Sequence, residues 1–242
     1  MREKVIFCWS GGKDSALALN RMRADDRYEI VSLLTTCNGH YRRVSMHGVR
    51  VELLEQQAAA VGLPLEIVEV SQVSSNEEYR QKMGDCMRAH QARGVTACVY
   101  GDIFLEDLRA WREANLAEIG LRGLFPLWKI DTRELIREFV DLGFGSVLCC
   151  VNDAWLGEAD VGRVIDRDFI GTLPAGVDPC GENGEYHSFA FAGPIFQSPV
   201  RYSFGEKVYR PVEVTHNSST LPQPPDGRKP TRGFWFCDLL PA

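Results

Sequence analysis

Residues 5–19 read Val5-Ile-Phe-Cys-Trp-Ser-Gly-Gly-Lys-Asp-Ser-Ala-Leu-Ala-Leu19. Val5–Cys8 is a short apolar run rich in β-formers, which predicts a strand. It stops at Ser10-Gly11-Gly12, and Ala16–Leu19 then opens a helix. A strand, a glycine turn and a helix make one half of a βαβ unit, and the chain repeats the pattern. Glu29–Thr36 reads as a second strand. Val49–Val61 reads as a helix, with Leu53, Leu54, Ala58 and Val61 close to 3.6 spacing, stopped by Gly62-Leu63-Pro64. Leu65–Val70 alternates as a third strand. Asn76 caps a helix to Arg93, with Glu77 and Glu78 in the turn where the helix dipole favours them. A fourth strand, Ala97–Tyr100, ends at Gly101-Asp102. A helix over Glu106–Ile119 and a short strand over Leu121–Phe125 follow. Asp131 caps a helix to Leu142, and Ser146–Val151 reads as a last buried strand.

This alternation predicts an α/β fold with a doubly wound, mostly parallel sheet. After Asp166 the pattern changes. Gly171–His187 has no helical period, Val200–Val214 suggests a hairpin turning at Gly205, and Pro222–Pro230 reads as a loop. Only Pro64 and Pro126 of the 12 prolines precede Ile170, and each proline removes an amide donor. The reading is therefore a nucleotide-binding domain over 1–152 and a smaller Gly- and Pro-rich subdomain over 153–242 that completes the site. Trp235 and Phe236 are apolar anchors for the tail and a candidate homodimer contact.

The 242 residues are 45% hydrophobic, which excludes a disordered chain. The net charge of −6 argues against nucleic acid as the main partner. The basic clusters Arg21/Arg23 and Arg42/Arg43 read first as solvated faces. No apolar stretch is long enough for a membrane span, and Met1-Arg-Glu-Lys4 leads straight into the first strand. The expectation is a soluble, cytoplasmic chain with reduced thiols. Its eight cysteines form no CxxC pair, so structural zinc is not expected. Cys149 and Cys150 are adjacent on a predicted strand and point to opposite faces.

In doubly wound sheets ligands bind outside the carboxyl ends of the strands. Ser10–Ser15, Thr35–His47 and Gly101–Glu106 all fall there, so Thr35, His47, Gly101 and Asp102 are expected to share a cleft with the glycine turn. Ser10, Gly11, Gly12, Lys13, Asp14 and Ser15 suit phosphate. Two glycines bring backbone amides close, the helix N-terminus aims free N–H groups at one point, and Lys13 adds charge. The spacing is neither G-x-x-x-x-G-K-[ST] nor G-x-G-x-x-G. Further on, Gly181-Glu-Asn-Gly-Glu-Tyr-His-Ser188 packs carboxylates, an amide and an imidazole into one short stretch. On composition alone such a stretch also suits a polar surface turn.

The hexapeptide SGGKDS resembles the PP-loop of the ATP pyrophosphatase superfamily, whose fold is adenine nucleotide alpha hydrolase-like and whose members cleave ATP between its α and β phosphates. GENGEYHS resembles the GE-x-GE-[FY]-H-[ST] signature of the diphthine–ammonia ligase family. Gly101-Asp102-Ile103 and Pro126-Leu127-Trp128 match that family's GDI and PLW segments in the expected order. The resemblance covers roughly residues 3–200. It implies an ATP-dependent amide ligase that adenylates the carboxylate of diphthine on elongation factor 2. Ammonia, drawn from free ammonium, then displaces AMP. A carboxylate facing the ATP polyphosphate would repel it unless a cation intervenes, so with that chemistry Asp14 is assigned as a Mg²⁺ ligand. Lys13 and Asp14 would serve catalysis, and Glu182, Glu185 or His187 could accept the proton, His187 being favoured by intrinsic pKa. Ser45-Met-His-Gly48 departs from the eukaryotic and archaeal pattern and resembles bacterial relatives, and bacteria lack diphthamide. In that case another small carboxylate, or a tRNA base, would be the acceptor. A non-catalytic adenine-nucleotide sensor is the remaining alternative.

Overall fold

The structure, a computed structural model, describes residues 2–44, 48–71, 76–212 and 230–242. Five parallel strands carry the first half: β1 (Glu3–Cys8), β2 (Tyr28–Asn38), β4 (Leu65–Val70), β5 (Val95–Val99) and β6 (Arg122–Leu124). β1 pairs with β2 and β5, β2 also with β4, and β5 with β6. The spatial order β4-β2-β1-β5-β6 therefore reverses between β1 and β5. A two-residue strand, β3 (Arg43–Val44), adds antiparallel to the end of β2.

The helices are α1 (Lys13–Arg23), α2 (Val51–Val61), α3 (Asn76–Gln91), α4 (Glu106–Ala117) and α5 (Thr132–Asp141). Asp131 caps α5 as its sequence position predicts, accepting from the amides of Arg133 and Glu134. Both faces of the sheet are covered, which is why β1 reads as an unbroken apolar run. Its alternate side chains go opposite ways. Val5 and Phe7 join a core with Leu17, Leu19, Leu53 and Leu54. Ile6 joins a second core with Leu34, Met83, Met87 and Leu116. Each such buried side chain contributes about 1.5–3 kcal/mol.

The second half departs from expectation in three places. β7 (Gly145–Asn152), read from the sequence as the last strand after the parallel series, belongs to a separate antiparallel sheet whose order is β8 (Tyr186–Ala192), β7, β10 (Gly233–Pro241) and β9 (Tyr202–Pro211). An apolar strand covered on both faces has the same pattern in either sheet, so composition does not distinguish them. The second sheet thus begins before residue 152. Over the described residues 200–212 there is no hairpin: β9 (Tyr202–Pro211) is one strand, paired with β10 (Gly233–Pro241). Gly205 sits where the register shifts, and a Cβ there would meet Asp238 Cβ at 3.2 Å. A short helix, α6 (Arg167–Thr172), precedes the irregular stretch and runs into it. Of the expected loop over 222–230, residues 222–229 lie outside the described residues.

Trp235 and Phe236 do anchor the tail, since β10 is an interior strand between β7 and β9. β8 (Tyr186–Ala192) lies against α1, and β10 against α2. Asp238 of β10 pairs with Arg43 at 2.8 Å and Arg50 at 2.7 Å, tying the two sheets together. Arg21 pairs with Glu138 at 2.5 Å, and Arg23 donates to the carbonyls of Ile195 and Val61. That first cluster is structural rather than merely solvated. All eight cysteines are free thiols. Among the described residues no helix is long and apolar enough to cross a membrane.

Candidate nucleotide site

The reversal between β1 and β5 opens a crevice at their carboxyl ends, where doubly wound sheets take ligands. A cleft of about 720 Å³ lies there, within the range of small-molecule sites. Ser10, Gly12, Lys13, Asp14, Ser15, Thr35, Gly101, Asp102, Glu182 and His187 all line it. Gly11 lies beneath the lining, Glu185 is fully buried behind it, and His47 falls outside the described residues.

The turn that enters α1 is held from several sides. Gly11 has φ of +77°, and a Cβ there would stand 2.7 Å from the Gln57 side-chain oxygen. Gln57, wholly buried on α2, donates to the carbonyls of Gly11 (2.9 Å) and Ala190 (2.6 Å) and accepts from the Trp9 indole at 2.9 Å. The Lys13 amide donates to Ser188 Oγ at 3.2 Å, and the Ala190 amide to Gly11 O at 2.8 Å. Ser10 Oγ accepts from the Gly12 amide and donates to Ser15 Oγ at 3.1 Å. Gly101 permits close approach from β5, because a Cβ there would lie 3.0 Å from the Ser15 amide nitrogen.

The 178–188 segment folds over this turn by self-bonding. Asp178 accepts from the amides of Cys180 (2.9 Å) and Glu182 (3.1 Å) and from the Thr132 hydroxyl (2.7 Å). Glu185 accepts from the amides of Asp178 and Asn183, both at 3.0 Å, which pins the loop at two points. The carboxylate of Glu182 accepts from the Ile103 amide at 2.9 Å. GENGEYHS is therefore a built wall of the cleft, with Tyr186 and Phe189 packed in the core.

Charge is concentrated at the floor. Lys13 Nζ bonds Asp14 Oδ2 at 2.7 Å and the Cys180 carbonyl, and stands 5.0 Å over the Tyr186 ring. Burial opposes the charge on Lys13, but the Asp14 carboxylate, Tyr186 and Cys180 together outweigh burial and hold the amine above the usual lysine range. Burial pushes Asp14 up despite Lys13. Burial, then the Asp14 charge, pushes Glu182 up to about 7. On the far wall Arg112 forks onto Asp102, at 2.7 and 3.3 Å, and lies 4.2 Å from the Tyr100 ring centroid.

The family model described as diphthamide synthase N-terminal domain matches residues 3–123, and the diphthamide synthase C-terminal domain matches residues 131–215. The chain belongs to the diphthamide synthase family. Among similar proteins, a diphthine–ammonia ligase of Schizosaccharomyces pombe is 30% identical over 248 residues of alignment, covering 87% of this chain and 39% of its own length. A diphthine–ammonia ligase of Danio rerio is 26% identical over 229 residues of alignment, covering 81% of this chain and 85% of its own. The chain thus spans about two fifths of the fission-yeast relative and most of the zebrafish one. The diphthamide synthase N-terminal match contains the glycine turn and Asp102, and the C-terminal match contains GENGEYHS, so the cleft is lined from both.

Sequence reasoning missed Gln57, Ser188, Asp178 and Arg112. Gln57 carried a usable signal, being an amide among the apolar positions Leu53, Leu54, Ala58 and Val61. Ser188 stood inside the quoted motif. Arg112 reads as an ordinary helix cation until the fold sets it against Asp102.

Proposed function

We propose that this protein is an ATP-dependent, AMP-forming amide ligase that adenylates a carboxylate and passes the acyl group to ammonia. The observation that carries this reading is the convergence of Lys13, Asp14 and Glu182 on a glycine turn at the strand-order reversal. A carboxylate resists ammonia because oxide would have to leave, and adenylation supplies a better leaving group. The N-terminal end of α1 and the charged Lys13 are suited to the developing charge on pyrophosphate. Asp14, an oxygen donor that burial pushes up despite Lys13, fits a Mg²⁺ ion. Such an ion would offset the polyphosphate charge when bound. Glu182, poised near neutrality, is placed to take a proton from the attacking amine, with His187 on the same wall as the other candidate. Glu185 serves the loop's shape, because its oxygens are committed to backbone amides.

The names of the relatives point to diphthine as acceptor, carried on elongation factor 2 as the family resemblance implies, if the source makes diphthamide. Ser45-Met-His-Gly48 favours a second acceptor for the same chemistry, a different carboxylate in a bacterial source. The test is incubation with ATP, Mg²⁺, ammonium and diphthine-bearing elongation factor 2, then with a panel of small carboxylates. AMP, pyrophosphate and amide in equal amounts support the reading. No amide with any acceptor counts against it.

A further inference from the structure

Away from the cleft, Glu66 of β4 meets Cys86 and His90 of α3. Cys86 and His90 are four residues apart, so they share one helix face. The Cys86 thiol donates to Glu66 Oε1 at 2.9 Å, and His90 Nε2 lies 2.7 Å from Glu66 Oε2. One ligand atom from each of the three residues can be chosen so that all lie within 4.8 Å of one another. An ion with bonds of about 2.0–2.3 Å bridges such a span with small side-chain movements. His90 is buried, while Cys86 and Glu66 are half-buried, so the imidazole is fixed and one side stays open to water. Among the described residues this is the cluster in which three potential metal ligands come together.

We propose that Glu66, Cys86 and His90 form a three-ligand site for a zinc-class divalent metal, with water as the fourth ligand. One thiolate, one imidazole and one carboxylate suit zinc and cobalt, whereas Mg²⁺ and Ca²⁺ call for oxygen alone. Paired cysteines are the usual sequence sign of such a site, but here the ligands come from separate elements and only the fold unites them. Arg93, whose charge reaches both Glu66 and Cys86, opposes a dication and sets a moderate affinity.

The site has a structural consequence. β4 pairs only with β2 among the described strands, and α3 crosses beside it. The same helix supplies Tyr79 and Met83 to the nucleotide cleft, two turns and one turn before Cys86. A metal between β4 and α3 fastens the helix and steadies that wall, with no part in the reaction chemistry.

The test is titration of the full chain with Co²⁺, a spectroscopic substitute for zinc. One equivalent is expected to give a thiolate-to-cobalt charge-transfer band in the near ultraviolet and tetrahedral visible bands. Cys86→Ser should abolish the near-ultraviolet band, and Glu66→Gln should weaken binding at least about tenfold. Cys8→Ser and Asp14→Asn, both in the nucleotide cleft, should leave the band intact. Saturating Zn²⁺ should raise the Tm of the wild type but not of Cys86→Ser. The proposal is overturned if the wild type shows no thiolate band, if the band persists in Cys86→Ser, or if zinc leaves the wild-type Tm unmoved. Should Cys86→Ser fail to fold, undiminished cobalt binding in Glu66→Gln overturns it equally.

Discussion

The backbone amide of Lys13 donates to the hydroxyl of Ser188 at 3.2 Å, across 175 residues of chain. This contact joins the glycine turn of the parallel sheet to the first strand after the GENGEYH loop. The two halves of the cleft are therefore set by each other, and neither sheet builds it alone.

Gln57 is the buried fastener of that junction. Gln57→Leu keeps the volume but strands the Trp9 indole N–H and the Ala190 carbonyl without this partner. We expect a loss of about 2–4 kcal/mol, read as a lower urea midpoint with an unchanged slope.

Gly11 and Gly94 separate strain from site geometry. Both have positive φ, +77° and +88°, but a Cβ at Gly94 meets nothing within 4 Å. Alanine at either position should cost about 1–2 kcal/mol from the left-handed backbone. Gly11→Ala should also weaken ATP binding at least about tenfold by pushing the turn off Gln57, whereas Gly94→Ala should not. Nucleotide titration of the two variants side by side checks this.

Glu182 gives a pH dependence of definite sign. Its folded pKa of about 7 exceeds its ordinary 4.5. Between those values the folded state holds more protons than the unfolded one, so stability falls as pH rises through that window. Asp14 adds to the fall with the same sign. Unfolding of the nucleotide-free protein from pH 4.5 to 7 should show the decline, and Glu182→Gln should flatten it in part. If Glu182 accepts the proton, kcat/KM in the wild type should climb through about pH 7 and lose that limb in the variant.

The parallel half was legible because its signals are local. Gly62, Pro64 and Asp131 mark ends of elements, and apolar runs such as Val5–Cys8 mark covered strands. SGGKDS marks the glycine turn that enters α1 and lines the cleft, since its glycines and hydroxyls fall within one short segment. The second sheet was not legible. β7 looks like any buried strand, and Gly205 looks like a turn, although it serves as a register shift against Asp238. The parts of the site that join distant elements were equally hidden. Gln57 and Ser188 reach the turn through hydrogen bonds that span 46 and 175 residues, and nothing in sequence spacing encodes such partners. Glu185, which reads as a candidate base, instead spends its oxygens on loop amides.

The proposed reaction is cleavage of ATP between its α and β phosphates to activate a carboxylate in this cleft. The most direct measurement is product analysis with α-labelled ATP, Mg²⁺, ammonium and a carboxylate acceptor, for the wild type and Asp14→Ala. The wild type is expected to give AMP and pyrophosphate, dependent on acceptor, with a loss of at least about a hundredfold in the variant. ADP and phosphate as products, or AMP formation undiminished in Asp14→Ala, would contradict it.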